Sequence, residues 1–172
     1  MLFRSYGEPV KADPSAVHSA MQSPKEHPTT TTPWRLQRRV LPQHTDHAGV
    51  MWHGTYLAWL EEGRVEALDA AGLAYADLSA QGLELPVVSL AIDYRQALLH
   101  GESITLESWV LPRRGVKLPW RSRFLKPDGR LAAEANVELV LVQGSGSQER
   151  RLLRQLPAEL AAAVERLQRG PG

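Results

Sequence analysis

Between residues 44 and 64 the chain concentrates side chains that can do chemistry: His44, Asp46, His47, His53, Tyr56, Glu61 and Arg64. At the centre is the run Asp46-x-x-Gly49-Val50-x-x-His53-x-x-Tyr56. An Asp followed three residues later by Gly is first of all turn chemistry, Asp at the first position and Gly at the fourth. What comes next gives the carboxylate a second use. A helical period begins near His53, so the unpaired backbone N–H groups of a first helical turn point back toward the loop that carries Asp46. A carboxylate beside a helix N-terminus supplies two parts that acyl transfer needs, a nucleophile or general base and a set of preorganised donors for a developing oxyanion. Direct attack by Asp46 and activation of water by Asp46 both require the same group in the same place, so both stay open. The His53 side chain either orients substrate and tunes Asp46, or only caps and packs the helix start.

The remaining polar clusters divide between function and scaffold. His44, Asp46, His47 and His53 are all good zinc ligands in kind. Their spacing nevertheless matches no metal motif such as two histidines four apart on a helix, and no metal or organic cofactor is expected. Glu61 and Arg64, three apart on the helix, read as a surface ion pair or as hydrogen-bond partners of loop backbone beneath the site. Arg113, Arg114, Lys117, Arg121 and Arg123 form a basic group around a turn and the strand after it, either an anion-binding surface or a solvated strand face. Nucleic acid is disfavoured because no stacking ladder of aromatics accompanies them. Of the five tryptophans, Trp52 and Trp59 flank the motif and are candidates to line a pocket.

The elements that must position these groups follow from hydrophobic period. Trp34, Leu36 and Val40 alternate with Arg35, Gln37 and Arg39 as a strand that Pro42 ends. His53–Ala71 reads as a long helix apolar on much of its circumference, hence wrapped by other structure. A short helical turn at Ala74–Ala80 precedes four strands. They are Val87–Tyr94, with Val88, Leu90, Ile92 and Tyr94 on one face; Ser103–Leu111; Val116–Leu125; and Leu131–Val142. Lys126-Pro127-Asp128-Gly129 suits a type I turn joining the last two as a hairpin. Gln143–Gln148 reads as a Gly/Ser loop and Pro157–Gln168 as a closing amphipathic helix. One strand, one long helix and four strands with short connections predict an α+β fold with an antiparallel sheet and one central helix.

Composition sets the frame. With 172 residues the chain has the length of one domain. Lys+Arg 20 against Asp+Glu 19 leaves a net charge of +1, too small to draw the protein onto nucleic acid or anionic lipid. There is no cysteine, which removes disulfides, thiol nucleophiles and Cys-ligated metals. Residues 1–33 hold five of the twelve prolines and no sustained apolar period, and are expected to form a disordered tail ahead of a domain at 34–172. No secretory signal or membrane span is read, so the expected address is the cytoplasm.

The motif Asp46-x-x-Gly49-Val50-x-x-His53-x-x-Tyr56 followed by Glu61 and Arg64 resembles the hotdog-fold acyl-CoA thioesterases of the 4-hydroxybenzoyl-CoA thioesterase and YbgC type. Ile92-Asp93-Tyr94-Arg95, then His100-Gly101-Glu102-Ser103-Ile104, and the ending Leu156-Pro157 are similar to that family too, over about residues 34–160. The resemblance implies a curved antiparallel sheet around one long helix, and hydrolysis of an acyl-CoA to free acid and coenzyme A. It makes Asp46 the catalytic carboxylate and the backbone N–H of His53 the group that polarises the thioester carbonyl. Gly49 and Tyr56 fall on the substrate side, and Arg113, Arg114 and Lys117 become candidates for the phosphates of coenzyme A. A homodimer or homotetramer with sites at subunit interfaces is implied, and an acyl-carrier protein as an alternative carrier of the substrate. A non-catalytic hotdog module that binds an acyl thioester is the competing reading. Close YbgC relatives carry a tyrosine four residues before the aspartate, where this chain has Pro42.

Overall fold

The computed structural model describes residues 31–144 and 150–172. The expected tail, apart from residues 31–33, and most of the Gly/Ser loop lie outside the described residues. Strand β1, Trp34–Arg39, leads through a 3-10 turn at Pro42–His44 into α1, His53–Ala70. After α2, Tyr75–Ala80, come β2, Leu83–Glu84, β3, Val87–Tyr94, β4, Ser103–Val110, β5, Lys117–Leu125, and β6, Leu131–Val140. Then follow β7, Val142–Gln143, β8, Arg151–Leu152, and α3, Ala158–Arg169.

Five strands form one antiparallel sheet in the order β1-β4-β5-β6-β3. Register aligns Leu36 with Leu106, Leu106 with Phe124 and Phe124 with Ala133, an apolar row across four strands. That row packs with Tyr56, Trp59 and Leu60 from the first half of α1, all buried. Toward the other end, Ala67 and Leu68 of α1 share a second cluster with Val110, Trp120 and Val137 of the sheet and Leu160, Val164 and Leu167 of α3. Each aliphatic side chain removed from water in this way contributes roughly 1.5–3 kcal/mol. Gly63 lets the helix approach the sheet: a Cβ there would lie 3.1 Å from a methyl of Leu106. The Lys126–Gly129 turn closes the β5–β6 hairpin, with Gly129 at φ +82° and its N–H 2.9 Å from the Lys126 carbonyl.

The architecture is the expected α+β hotdog arrangement, and two details differ from the expectation. A second small sheet, β2-β7-β8, forms where the sequence reads as one long strand and a loop. Its strands are two residues each, too short for a period-2 signal to register. The helix is also wrapped on one side only. Other sides leave Leu57 and Val65 exposed, and Leu90 and Tyr94 of β3 are exposed as well, Ile92 between them being half-buried. Val88, expected on that face, is instead the extra residue of a register shift that sets Val87 opposite Leu139. The cause is topological. β3 is the edge strand of the sheet, so its inward face projects past the helix that covers β1, β4 and β5.

Candidate active site

Pro42 sets the 3-10 turn that ends β1, and His44 ties that turn to the helix. The Nδ1 of His44 accepts the Leu41 N–H at 3.1 Å, and its carbonyl accepts the Trp52 N–H at 3.1 Å and the Thr55 hydroxyl at 3.2 Å. Its ring stands edge-on to Trp59 with centroids 5.2 Å apart. The carbonyl and ring of His44 therefore serve the scaffold, and Trp59 belongs to the core. No group of three or more His, Asp and Glu side chains is placed to hold a metal ion among the described residues.

The next residues build a hydrogen-bonded carboxylate. Asp46 Oδ1 accepts the N–H groups of Ala48 at 2.9 Å and Val50 at 3.1 Å, while the Asp46 N–H donates to the Val50 carbonyl at 2.8 Å. Gly49 closes the turn at φ +76°, a conformation that side-chain-bearing residues rarely adopt. Oδ2 makes no hydrogen bond among the described residues, so one oxygen is anchored and the other is available. The turn reading and the chemical reading of Asp46 are thus compatible.

Trp52 is the N-cap of α1, and the first turn after it carries no acidic side chain. None of the hydrogen bonds among the described residues takes up the N–H of His53 or Gly54. The positive end of the helix is consequently left without neutralisation by its own sequence. A cleft of about 640 Å³ opens here, lined among others by Asp46, Trp52, His53, Tyr56, Tyr94 and Arg95. The indole of Trp52 folds over Gly54, where a Cβ would collide with it, and stands edge-on to His53. Tyr56 is buried at the cleft floor, its ring edge-on to Tyr94 and Phe124 at 5.0 and 4.9 Å. Burial, with smaller effects from Tyr94 and Glu102, pushes its phenol up to about 12, so it stays protonated at neutral pH.

The arrangement of cleft, carboxylate and helix start coincides with a family match. The family model described as the thioesterase-like superfamily matches residues 40–164. The chain belongs to the thioesterase-like superfamily. Among its relatives, the Synechocystis protein sll0410 is 33% identical over 145 residues, covering 84% of this chain and 86% of the relative. The acyl-CoA thioester hydrolase YbgC of Escherichia coli is 26% identical over 75% of this chain and 96% of its own length. In three dimensions the DHNA-CoA thioesterase of Staphylococcus aureus superposes with a TM-score of 0.69 at 23% identity, over 79% of this chain and 91% of that one.

Within this thioesterase-like chain the expected site residues separate. Asp46, His53 and Tyr56 line one cleft, and Gly49 shapes the turn that presents Asp46. Arg113, Arg114 and Lys117 do not reach it. They sit where β4 gives way to β5, beside the cluster under the second half of α1, and Lys117 is engaged with Glu138 at 2.5 Å. Arg121 likewise pairs with Glu134. Glu61 and Arg64 form the expected ion pair, with the Arg64 side chain only 5% exposed. The cation that does line the cleft is Arg95, exposed and without an ion pair among the described residues. Sequence reasoning passed over it and Tyr94 as parts of a strand ending. The usable signal was the period of β3, which places Tyr94 on the same face as Ile92 and toward α1. The ring of Tyr94 also brings a second phenol to the cleft beside Tyr56.

Proposed function

We propose that this protein hydrolyses acyl-CoA thioesters to free acid and coenzyme A, with Asp46 as the catalytic carboxylate. The observation that carries the reading is the half-anchored Asp46 side chain in the same cleft as the unneutralised start of α1. As general base, the free oxygen takes a proton from water while the water oxygen bonds to the thioester carbon. The carbonyl oxygen becomes an oxyanion that the N–H at His53 stabilises. Collapse breaks the C–S bond, and the proton passes from Asp46 to the departing thiolate. As nucleophile, Asp46 instead forms an anhydride that water then opens, with the same products. His53 contributes its backbone N–H in either route. The naming of the E. coli relative as an acyl-CoA thioester hydrolase supports this activity.

Arg95 is assigned the anionic end of the substrate in one protomer. Arg113, Arg114 and Lys117 retain a role in coenzyme A binding only if they reach a cleft of another copy. A second copy is proposed to pair along β3, because the exposed Leu57, Val65, Val88, Leu90 and Tyr94 run beside both the sheet edge and the cleft. That copy would cover the open side of the site. Among the described residues no helix is long and apolar enough to cross a membrane. The deciding test is release of free thiol from short, medium, long and aromatic acyl-CoAs, with an acyl-carrier-protein thioester as the alternative substrate. Turnover with any of them supports an enzyme; tight binding of all with no thiol released turns the reading to a non-catalytic binding module.

A further inference from the structure

Asp46 shapes its turn from within but does not alone fix where that turn sits. The turn hangs on the connection between β3 and β4. The Met51 N–H donates to the Leu98 carbonyl at 2.8 Å, the His100 N–H donates to the Gly49 carbonyl at 3.0 Å, and Val50 forms a β-bridge with Leu99. The first part of the same connection, Arg95 to Ala97, lines the cleft. Two catalytic elements thus depend on one irregular segment of eight residues, Arg95–Glu102, which has no secondary structure of its own beyond that bridge.

Backbone bonds hold the two ends of the segment, from the Arg95 and Gln96 N–H groups to the Ala132 carbonyl and from the Gly101 N–H to the Val40 carbonyl, and a lysine from the opposite hairpin ties its middle to its end. Lys126, the first residue of the β5–β6 turn, has a side chain only 10% exposed. Its ammonium donates to the Ala97 carbonyl at 2.8 Å and pairs with Glu102 Oε1 at 2.9 Å. Glu102 Oε2 in turn accepts the Leu99 N–H at 2.8 Å. Although burial pushes the Glu102 carboxyl up, the Leu99 N–H and Lys126 outweigh it and hold it below the usual carboxylate range. Leu98 is fully buried between these two anchor points. An ammonium this buried is costly unless every donor is used. Here its bonds reach Ala97 and Glu102 of the segment at once, and the β5–β6 turn behind it is closed by two backbone bonds, Lys126 N–H to the Arg130 carbonyl and Gly129 N–H to the Lys126 carbonyl, both 2.9 Å.

We infer that Lys126, with Glu102, is a positioning pair that sets the reach of Asp46 by clamping the Arg95–Glu102 connection against the β5–β6 turn. The inference rests on Asp46 being the catalytic carboxylate. Loosening the clamp lets the Asp46 turn drift relative to the helix start, and displacements of about 1 Å cost up to about a hundredfold in rate. Removing Lys126 should therefore lower kcat by about tenfold or more and leave KM within about twofold.

The test compares Lys126→Met, Lys126→Arg, Glu102→Gln and Asp46→Asn in the full chain, each assayed by thiol release and by amide hydrogen exchange. Glu138→Gln, which removes the Lys117 pair at the other end of the sheet, controls for general loss of an ion pair. Expected are a kcat defect in Lys126→Met, faster exchange at the amides of Met51 and His100, unchanged exchange in α3, and recovery of most of kcat in Lys126→Arg. Glu138→Gln should turn over normally. If Lys126→Met does not fold, Glu102→Gln, which keeps the size and an acceptor for Leu99, must show the same kcat defect and exchange pattern in milder form. Should Asp46→Asn be inactive while the clamp variants keep full kcat, the positioning role is overturned and the carboxylate reading stands. Full activity in Asp46→Asn overturns the carboxylate reading itself, whatever the clamp variants do.

Discussion

Asp46→Asn separates the two things that this side chain does. In the native turn Oδ1 accepts two backbone N–H groups, from Ala48 and Val50. The amide oxygen of Asn can accept both, so the turn keeps its hydrogen bonds and loses only their charge assistance. A bond to a charged acceptor is worth about 1.5–3 kcal/mol and a neutral one about 0.5–1.5. Because Asp46 is exposed, the loss belongs at the low end, about 1 kcal/mol or less. For a chain of this size that lowers Tm by about 2–4 °C. The chemical consequence is far larger. An amide neither abstracts a proton from water nor attacks a thioester, and a positioned acid–base group contributes at least about a hundredfold. That is about 2.7 kcal/mol on the barrier. The assay is continuous thiol release under saturating acyl-CoA, paired with a thermal melt and with mass spectrometry to exclude deamidation back to aspartate. Binding of a non-hydrolysable acyl-CoA analogue should persist. Turnover near that of the native protein would refute the mechanism, and a variant that unfolds would show that the carboxylate serves the turn alone.

Arg95→Ala should raise KM for acyl-CoA by about tenfold with little change in kcat, because a contact to a remote anionic group is uniform binding. The effect should shrink at high salt and disappear with N-acetylcysteamine thioesters, and an equal loss with those substrates would detach Arg95 from the nucleotide end. Tyr56 gives a pH signature. Its phenol is raised from 10.0 to about 12, so its contribution to stability is fully present below pH 10 and is lost as pH climbs toward 12. Chemical denaturation midpoints across that window, with Tyr56→Phe flattening the decline, check the sign; an unchanged slope in Tyr56→Phe would contradict it. Light scattering at micromolar concentration should give at least a dimer mass, and Leu90→Lys on β3 should shift it toward monomer; a monomer at every concentration rules out the shared interface.

The fold was legible wherever a period was long enough to read. The alternation through Ala133, Ala135, Val137 and Leu139 returns as the inward face of β6, with Leu131 beyond a register shift that buries Ala132 instead. Of the strand order only β4-β5-β6 follows from short connections, whereas β1 pairs with β4 and β3 with β6. Two-residue strands such as β2 and β8 left no period to detect, so the small sheet was invisible. The apolar face of β3 was read correctly from Leu90 to Tyr94, yet its burial was not, since burial depends on where the strand falls in the sheet. Sequence records that Leu90, Ile92 and Tyr94 point the same way, though not the register shift that displaces Val88 from their face; only topology reveals that Leu90 and Tyr94 stay exposed on an edge strand.

The site was half legible for a related reason. Asp46, Gly49 and His53 lie within eight residues of one another, so turn chemistry and a helix start are sufficient to place them side by side. Arg95 and Lys126 carry no such signal, being 49 and 80 positions from Asp46 in the sequence. A basic cluster such as Arg113, Arg114 and Lys117 is conspicuous in a linear reading because its members are neighbours, while a single unpaired arginine at a strand end is not. Linear density of charge thus pointed to the end of the sheet away from the cleft, where Lys117 is engaged with Glu138 and Arg121 with Glu134. The cation that lines the cleft, Arg95, is found beside the carboxylate, at the point where the chain leaves β3 and enters the segment on which the Asp46 turn hangs. Substrate contact and positioning of the reactive group meet in that one segment, so substitutions along it should change KM and kcat together unless, as at Lys126, they touch only its anchors.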